Sequence, residues 1–246
     1  MIANAPVYWF DEIDSTSEEA KRRARRGELE PVWIAARQQS AGRGRLGRAW
    51  VSPVGNLFTT LLFTEPGGLR VAGRVPFAAA LAVRDACIAA KPDLPVHLKW
   101  PNDVRIARRK ISGILTETGE TKGVVWVALG MGINVAHAPS GDGIDATSFH
   151  AEGVPAAHQA EHVLQDLRTA LDRRIAQARS DFEGLLRDWY QHAEGRGEPI
   201  AAGPETDRVI GVFESLASDG GLVLRLPDGA QRTIRAGDVE LVKRVS

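Results

Sequence analysis

The sequence predicts an α+β fold that carries a small, barrel-like all-β module at its C-terminal end. Two patterns define the larger part: short apolar, strand-like runs recur as far as Val135, and helical periodicity appears at 70–90 and again at 163–189. A third pattern defines the module, because beyond Gly195-Arg196-Gly197-Glu198-Pro199 and Gly203-Pro204 only short strands and turns remain. The chain is therefore divided at residues 1–197 and 200–246.

Residues 7–10 open as a strand, and Asp14-Ser15-Thr16-Ser17 precedes a helix rich in alanine and charge. Ser15 or Thr16 is suited to cap that helix, with Glu18 or Glu19 three residues on, and Gly27 suits the left-handed position past its end. Runs 32–36 and 56–63 read as strands, and Pro66-Gly67-Gly68 turns the chain into a single buried helix over 70–90. A strand at 96–100 ends at Pro101-Asn102-Asp103, and 104–107 turns through Arg108-Arg109 into a strand at 110–117. A hairpin turn is expected at 119–123, followed by an apolar strand at 124–129 that runs into Gly130-Met131-Gly132-Ile133-Asn134. After a polar loop at 139–150, Val163, Leu164, Leu167, Leu171 and Ile175 mark one helix, and Phe182, Leu185, Leu186 and Trp189 a second. Ser218-Asp219-Gly220-Gly221 and Pro227-Asp228-Gly229 are turn signals within the module.

With 246 residues, 43% hydrophobic and 25% charged, the chain can bury a full core. Its 31 basic and 31 acidic residues cancel, which argues against whole-molecule attraction to nucleic acid or an anionic membrane. Any phosphate chemistry must then rest on locally concentrated charge. The single cysteine, Cys87, sits in an apolar helical run without a partner, as suits a reducing compartment. No signal-peptide pattern and no apolar run of membrane-spanning length is visible, so a soluble, cytoplasmic protein is expected.

The concentrated charge lies in Gly42-Arg43-Gly44-Arg45-Leu46-Gly47-Arg48-Ala49-Trp50, where glycines and arginines alternate between two strands. Glycine lets backbone N–H groups approach a ligand, and arginine offers a flat, permanently charged fork that matches carboxylate or phosphate. An Arg/Gly run can also be a disordered RNA-binding segment, but its place between strands and the neutral net charge argue for a loop that holds a small anion.

Four motifs in order, Asp14-Ser15-Thr16-Ser17, the 42–50 run, Lys99-Trp100-Pro101-Asn102-Asp103-Val104 with Lys110 and Gly113-Ile114-Leu115, and Gly130-Met131-Gly132-Ile133-Asn134, resemble those of biotin protein ligases. The resemblance covers nearly the whole chain. It implies a catalytic domain like that of class II aminoacyl-tRNA synthetases, a mixed sheet flanked by helices, and a C-terminal SH3-like barrel. The activity it implies has two steps: biotin attacks the α-phosphate of ATP to give biotinyl-AMP, and a lysine of a biotin carboxyl carrier domain then displaces AMP.

By family match, Lys110 and Arg45 are the catalytic candidates. Ser15, Thr16, Ser17, Gln39, Gly42, Arg43, Gly44, Arg45, Trp100, Lys110, Gly113 and Gly130 are expected to bind biotin. Arg45, Arg48, Lys99, Asn102, Asp103, Lys110 and Asn134 are expected to bind ATP with its Mg²⁺, without a dedicated metal cage of protein ligands. The family usually has Asn where this chain has Ser17, and the first motif begins too early for the N-terminal DNA-binding domain of bifunctional members, so a monofunctional enzyme is expected, monomer or homodimer. A lipoate ligase or octanoyl transferase of related fold is the nearest alternative. A remoter one is a zinc hydrolase using His158, Glu161 and His162, which match an H-x-x-E-H pattern.

Overall fold

The computed structural model describes residues 2–141, 144–204 and 206–242, so Glu205 and residues 243–246 of the expected module, and 142–143 of the expected polar loop, lie outside the described residues. The first part builds a seven-stranded sheet in the order β1-β2-β3-β7-β6-β5-β4. Its strands are β1 Val7–Ile13, β2 Val32–Gln39, β3 Leu57–Thr64, β4 Val96–Lys99, β5 Asp103–Ile106, β6 Arg109–Thr121 and β7 Val124–Ile133. Only β1 and β2 run parallel, joined by the crossover helix α1, Thr16–Arg25.

The two faces of this sheet are covered unequally. Trp33, Leu61, Phe63, Leu129 and Ile133 join one core cluster with the helices α3 Val75–Ala90, α4 Ala160–Ser180 and α5 Phe182–Gln191. On the other face the short α1 packs mainly over β2, β3 and β7, burying Ala20 and Ala24 against Ile34, Leu62 and Ala128. Beyond that helix, toward β6 and β5, no helix of the described residues covers the face.

The single helix expected over 70–90 is two, α2 Gly68–Ala72 and α3, broken at Gly73-Arg74 with Pro76 in the first turn of α3, where a missing N–H costs nothing. The expected turn at 119–123 is tighter than its glycines suggest. Strand β6 runs through to Thr121, and Lys122 (φ 52°) with Gly123 (φ 77°) makes a two-residue reversal of the kind that matches sheet twist.

The C-terminal module is a five-stranded antiparallel sheet, order β11-β10-β9-β8-β12, from β8 Pro199–Gly203, β9 Val209–Leu216, β10 Leu222–Arg225, β11 Gln231–Ile234 and β12 Asp238–Leu241. It is not a loose appendage. Ile200, Phe213, Leu222 and Leu224 join the main core cluster, and the Trp100 indole N–H donates to Gly220 O at 3.1 Å.

One side chain fixes the loop after β7. Asn56 Oδ1 accepts from the backbone N–H groups of Val135, Ala136 and His137 at 2.9–3.0 Å, while its Nδ2 donates to His137 O at 2.8 Å. Orphaned donors of this kind cost about 1–3 kcal/mol. Asn56→Ala should therefore lower the unfolding free energy by at least about that amount, read from urea denaturation; a change within about 0.5 kcal/mol, the range of a neutral surface substitution, would show that water replaces the carboxamide.

Candidate active site

A cleft of about 280 Å³ occupies the part of the sheet that α1 leaves uncovered. Its floor is backbone. Gly113 on β6 pairs with Gly132 on β7, and a Cβ at Gly132 would come within 2.5 Å of the Trp50 indole, one at Gly113 within 2.8 Å. The 42–50 strap therefore crosses the sheet with its tryptophan laid against bare backbone, and its two ends are tied by Trp50 N–H donating to Gly42 O at 2.9 Å. A Cβ at Gly42 would meet Trp50 O at 2.4 Å, so this crossing also requires glycine. Leu46 takes a left-handed conformation (φ 56°) at the strap's tip and leaves its side chain in solvent.

One end of the cleft is a chain of hydroxyl and amide hydrogen bonds. Thr60 Oγ1 donates to Thr16 Oγ1 (2.9 Å), Thr16 donates to Gln39 Oε1 (3.2 Å), Gln39 Nε2 donates to Ser52 Oγ (3.0 Å) and Ser52 donates to Trp50 O (2.8 Å). Thr60 has spent its one proton, so the 3.2 Å contact between Ser17 and Thr60 must be donated by Ser17. The chain has one polarity, from α1 to the strap. It also corrects the expected cap: Ser15 precedes the helix in extended conformation and makes no side-chain capping bond, and the Thr16 N–H is taken instead by Gln39 Oε1 at 2.8 Å. Asp14 accepts from Ser15 N–H and pairs with Arg22, whose guanidinium outweighs burial and holds the Asp14 carboxyl down at about 2.

The other end gathers cations, each already held by a carboxylate. Lys110 Nζ lies 2.7 Å from Asp103 Oδ1 and 5.3 Å from the centre of the Trp50 ring. Arg43 reaches Glu18 at 2.8 Å, and Glu18 is in turn 2.8 Å from Lys21. Arg45 donates to Asn102 Oδ1 at 2.8 Å and lies 3.5 Å from Asp238, the carboxylate that also takes Arg48 at 2.8 Å. Burial opposes ionisation of Asp238, but the Arg48 hydrogen bond and the charges of Arg48, Arg45 and Lys99 prevail and hold its carboxyl below the ordinary range. Asn134 is buried and donates to Thr147 O at 3.0 Å and Lys110 O at 3.4 Å, which fixes the backbone beneath the lysine.

Of the residues singled out from sequence, Ser15, Thr16, Ser17, Gln39, Arg43, Gly44, Arg45, Arg48, Asn102, Asp103, Lys110, Gly113, Gly130 and Asn134 line this cleft. Gly42 lies outside its lining and serves the strap crossing. Trp100 and Lys99 lie elsewhere, on a second cavity between the sheet and the module, with the Trp100 indole turned to Gly220. Trp100, expected to bind biotin, thus lies outside the cleft, and the aromatic wall of the cleft is Trp50. Asp238 and Thr60 went unmarked; neither belongs to a local pattern. The H-x-x-E-H residues serve other ends: His158 and His162 stack at 5.5 Å, His162 Nδ1 accepts from Gln159 N–H, and Glu161 pairs with Arg37. Among the described residues no group of three or more His, Cys, Asp or Glu is placed to hold a metal ion.

Comparison with known proteins agrees with this geometry. The biotin/lipoate A/B protein ligase family matches residues 9–134, and the biotin protein ligase C-terminal domain matches residues 197–242. A biotin–[acetyl-CoA-carboxylase] ligase of Paracoccus denitrificans is 39% identical over 225 residues, covering 89% of this chain and 93% of that one. Its counterpart from Mycobacterium tuberculosis is 33% identical over 236 residues, covering 92% and 85%. The structure of an Aquifex aeolicus biotin protein ligase in complex with biotin and ATP superposes with a TM-score of 0.79 at 26% identity, covering 96% of this chain and 98% of that one. A chain whose two parts match these two models in order, and whose cleft brings their motifs together, belongs to the biotin/lipoate A/B protein ligase family as a biotin protein ligase.

Proposed function

We propose that this chain activates biotin with ATP as biotinyl-AMP and transfers the biotinyl group to a lysine of a biotin carboxyl carrier domain. The observation that carries the reading is the division of one cleft into a neutral, hydroxyl-lined end and an end where Lys110, Arg43, Arg45 and Arg48 converge. Biotin has the same division, a neutral ureido head and a carboxylate tail.

At the neutral end the proton bookkeeping assigns the contacts. Thr16 and Ser17 have committed their hydroxyl protons to Gln39 and Thr60, so only their lone pairs remain for the ureido N–H groups. Ser15 makes no capping bond and has its hydroxyl proton to give the ureido carbonyl. Ser17 thus offers an acceptor where the family usually has Asn.

At the charged end a carboxylate must approach a polyphosphate, two anions that repel. Lys110 and Arg45 hold the biotin carboxylate and the α-phosphate together, and Arg43 and Arg48 close the strap over them, so the chain contributes positioning and fixed positive charge. Asn102 and Asp103 flank the phosphates, and Asn134 and Ile144 lie toward the nucleoside. Magnesium fits as the nucleotide's counter-ion, supplying charge neutralisation on the phosphates; Asp103, an oxygen donor at the cleft, would meet it. In the second step the carrier amine attacks the anhydride carbonyl and AMP leaves.

We further read the mixed sheet, residues 1–197, as a class II aminoacyl-tRNA synthetase-like catalytic domain and 200–246 as an SH3-like barrel, supported by the separate antiparallel sheet of the module. A cytoplasmic location is supported by the lone buried Cys87 and by the absence, among the described residues, of a helix long and apolar enough to cross a membrane.

The direct test is to mix the chain with ATP, Mg²⁺, biotin and a carrier domain and to look by mass spectrometry for the biotinyl increment on the carrier lysine. Its appearance is expected only with all components. Lys110→Ala should slow biotinyl-AMP formation at least tenfold while leaving the melting temperature near that of the unmodified chain, as expected for a charge-assisted contact worth about 1.5–3 kcal/mol. Pyrophosphate release at an undiminished rate would remove Lys110 from the chemistry.

Gly132→Ala tests the floor. A methyl placed 2.5 Å from the indole must push Trp50 off the sheet, at a cost of about 1–3 kcal/mol to closure. Biotin affinity by calorimetry should fall about tenfold or more with little loss of fold stability. Unchanged affinity would show that the indole is not part of the bound state.

A further inference from the structure

Lys110 owes its place in the cleft to an irregularity in its strand. Between β5 and β6 the pairing slips by one residue: Val104 lies opposite Ser112 and Arg105 opposite Lys110, so Ile111 has no partner on β5. A bulge of this kind re-aims the side chains beyond it. Regular alternation from Gly113 would put Ile111 on the cleft side and Lys110 in the core. Instead Ile111 is fully buried in the main cluster, and the Lys110 ammonium lies beside Gly113 and Trp50.

The bulged end of β6 is held from its other side by a separate segment. Strand β7 pairs with β6 only as far as Ile133 opposite Ser112. Past that point Lys110 N–H donates to Asp145 O at 2.7 Å, and Thr147 N–H donates to Lys110 O at 2.9 Å. The backbone of Lys110 is therefore placed by residues 145–147.

Those residues are tied in turn to Arg105. Val104 and Ile106 point into the core, so Arg105 shares the opposite face of β5 with Asp103, yet it does not line the cleft. Its guanidinium spans two carboxylates, with Nη1 donating to Glu194 Oε1 at 2.7 Å and Nη2 to Asp145 Oδ2 at 3.0 Å. The Asp145 side chain is 64% exposed, and a pair with so exposed a partner contributes little in isolation. Glu194 changes this. Its side chain is only 6% exposed and its N–H donates to Leu98 O at 2.9 Å, so a fixed carboxylate grips one edge of the flat guanidinium and orients the other toward Asp145.

Resting on the ligase reading, we propose that Arg105 is a positioning residue for biotin activation. By holding Asp145 it keeps residues 145–147 paired with the bulged backbone of Lys110, and so keeps the Lys110 ammonium where the biotin carboxylate and the α-phosphate meet. Arg105 itself touches neither substrate. Its loss lets the strand end relax, and a displacement of about 1 Å at a reacting group can cost about a hundredfold in rate.

The test is a double-mutant cycle in the full chain, read as the rate of biotinyl-AMP formation from biotin, ATP and Mg²⁺. Arg105→Ala should lower kcat about tenfold or more while the KM values for biotin and ATP stay within about threefold. In a Lys110→Ala background the same substitution should change the rate by less than about twofold, because no ammonium is left to position. Asp145→Asn, at an exposed side chain, should reproduce the loss in kcat, and it tests the link independently if Arg105→Ala does not fold. A kcat for Asp145→Asn within about twofold of the unmodified chain would overturn the proposal, as would a loss in Arg105→Ala that persists in full without Lys110. Absence of biotinyl-AMP with the unmodified chain would instead sink the ligase reading on which the proposal rests.

Discussion

Much of the site depends on one contact, the Trp50 indole lying flat against the backbone of Gly113 and Gly132. It is possible only because two neighbouring strands both carry glycine at the same level, and a single added methyl would remove it. The contact anchors the end of a strap that has no regular secondary structure of its own apart from a single 3-10 turn. From that anchor follow the positions of Arg43, Arg45 and Arg48, and the ammonium of Lys110 rests above the same ring. The indole N–H is buried without a hydrogen-bond partner in the structure, so shape and dispersion hold the ring.

The strap is also tied at both ends by charge, to elements far apart in the chain. Glu18 on α1 takes Arg43, and Asp238 on β12 takes Arg48, with Arg45 close by. Pairing of this kind offsets part of the mutual repulsion of the strap's cations. A bound anion must exchange with these carboxylates, which makes the strap responsive to what occupies the cleft. The hydroxyl chain from Ser17 to Trp50 O links the neutral end to the same strap through hydrogen bonds of a single direction. Occupation of either end is thereby felt by one segment.

What was legible in the sequence is what is local. The Gly/Arg alternation, Lys110 at a strand start and the Gly130-Met131-Gly132 run each announce a need for backbone approach or for charge, and each lies in the cleft. Strands β2, β3 and β7 were readable because their apolar runs are buried. What depends on tertiary placement was not readable. Asp238 meets Arg48 across 190 residues, and no local pattern marks it. Gln39 displaces the hydroxyls of Ser15 and Thr16 from capping because β2 delivers its carboxamide to the helix end, a competition that helix-start rules do not include. Trp100 lies outside the cleft and Trp50 within it for a similar reason. The turn after β4 directs the Trp100 indole toward the module, and only the pairing of β6 with β7 reveals the glycine bed that receives Trp50.

Closure of the strap over bound ligand is what seals the site. Its arginines supply a measurement, the rate of tryptic cleavage after Arg43, Arg45 and Arg48, followed by mass spectrometry with and without biotin and ATP. A glycine-rich segment has much backbone freedom to lose, and sealing it over a hydrolysable anhydride excludes water. Cleavage that is fast in the free protein and strongly slowed by biotin with ATP is the result expected. Equal rates in the two states would contradict the central claim.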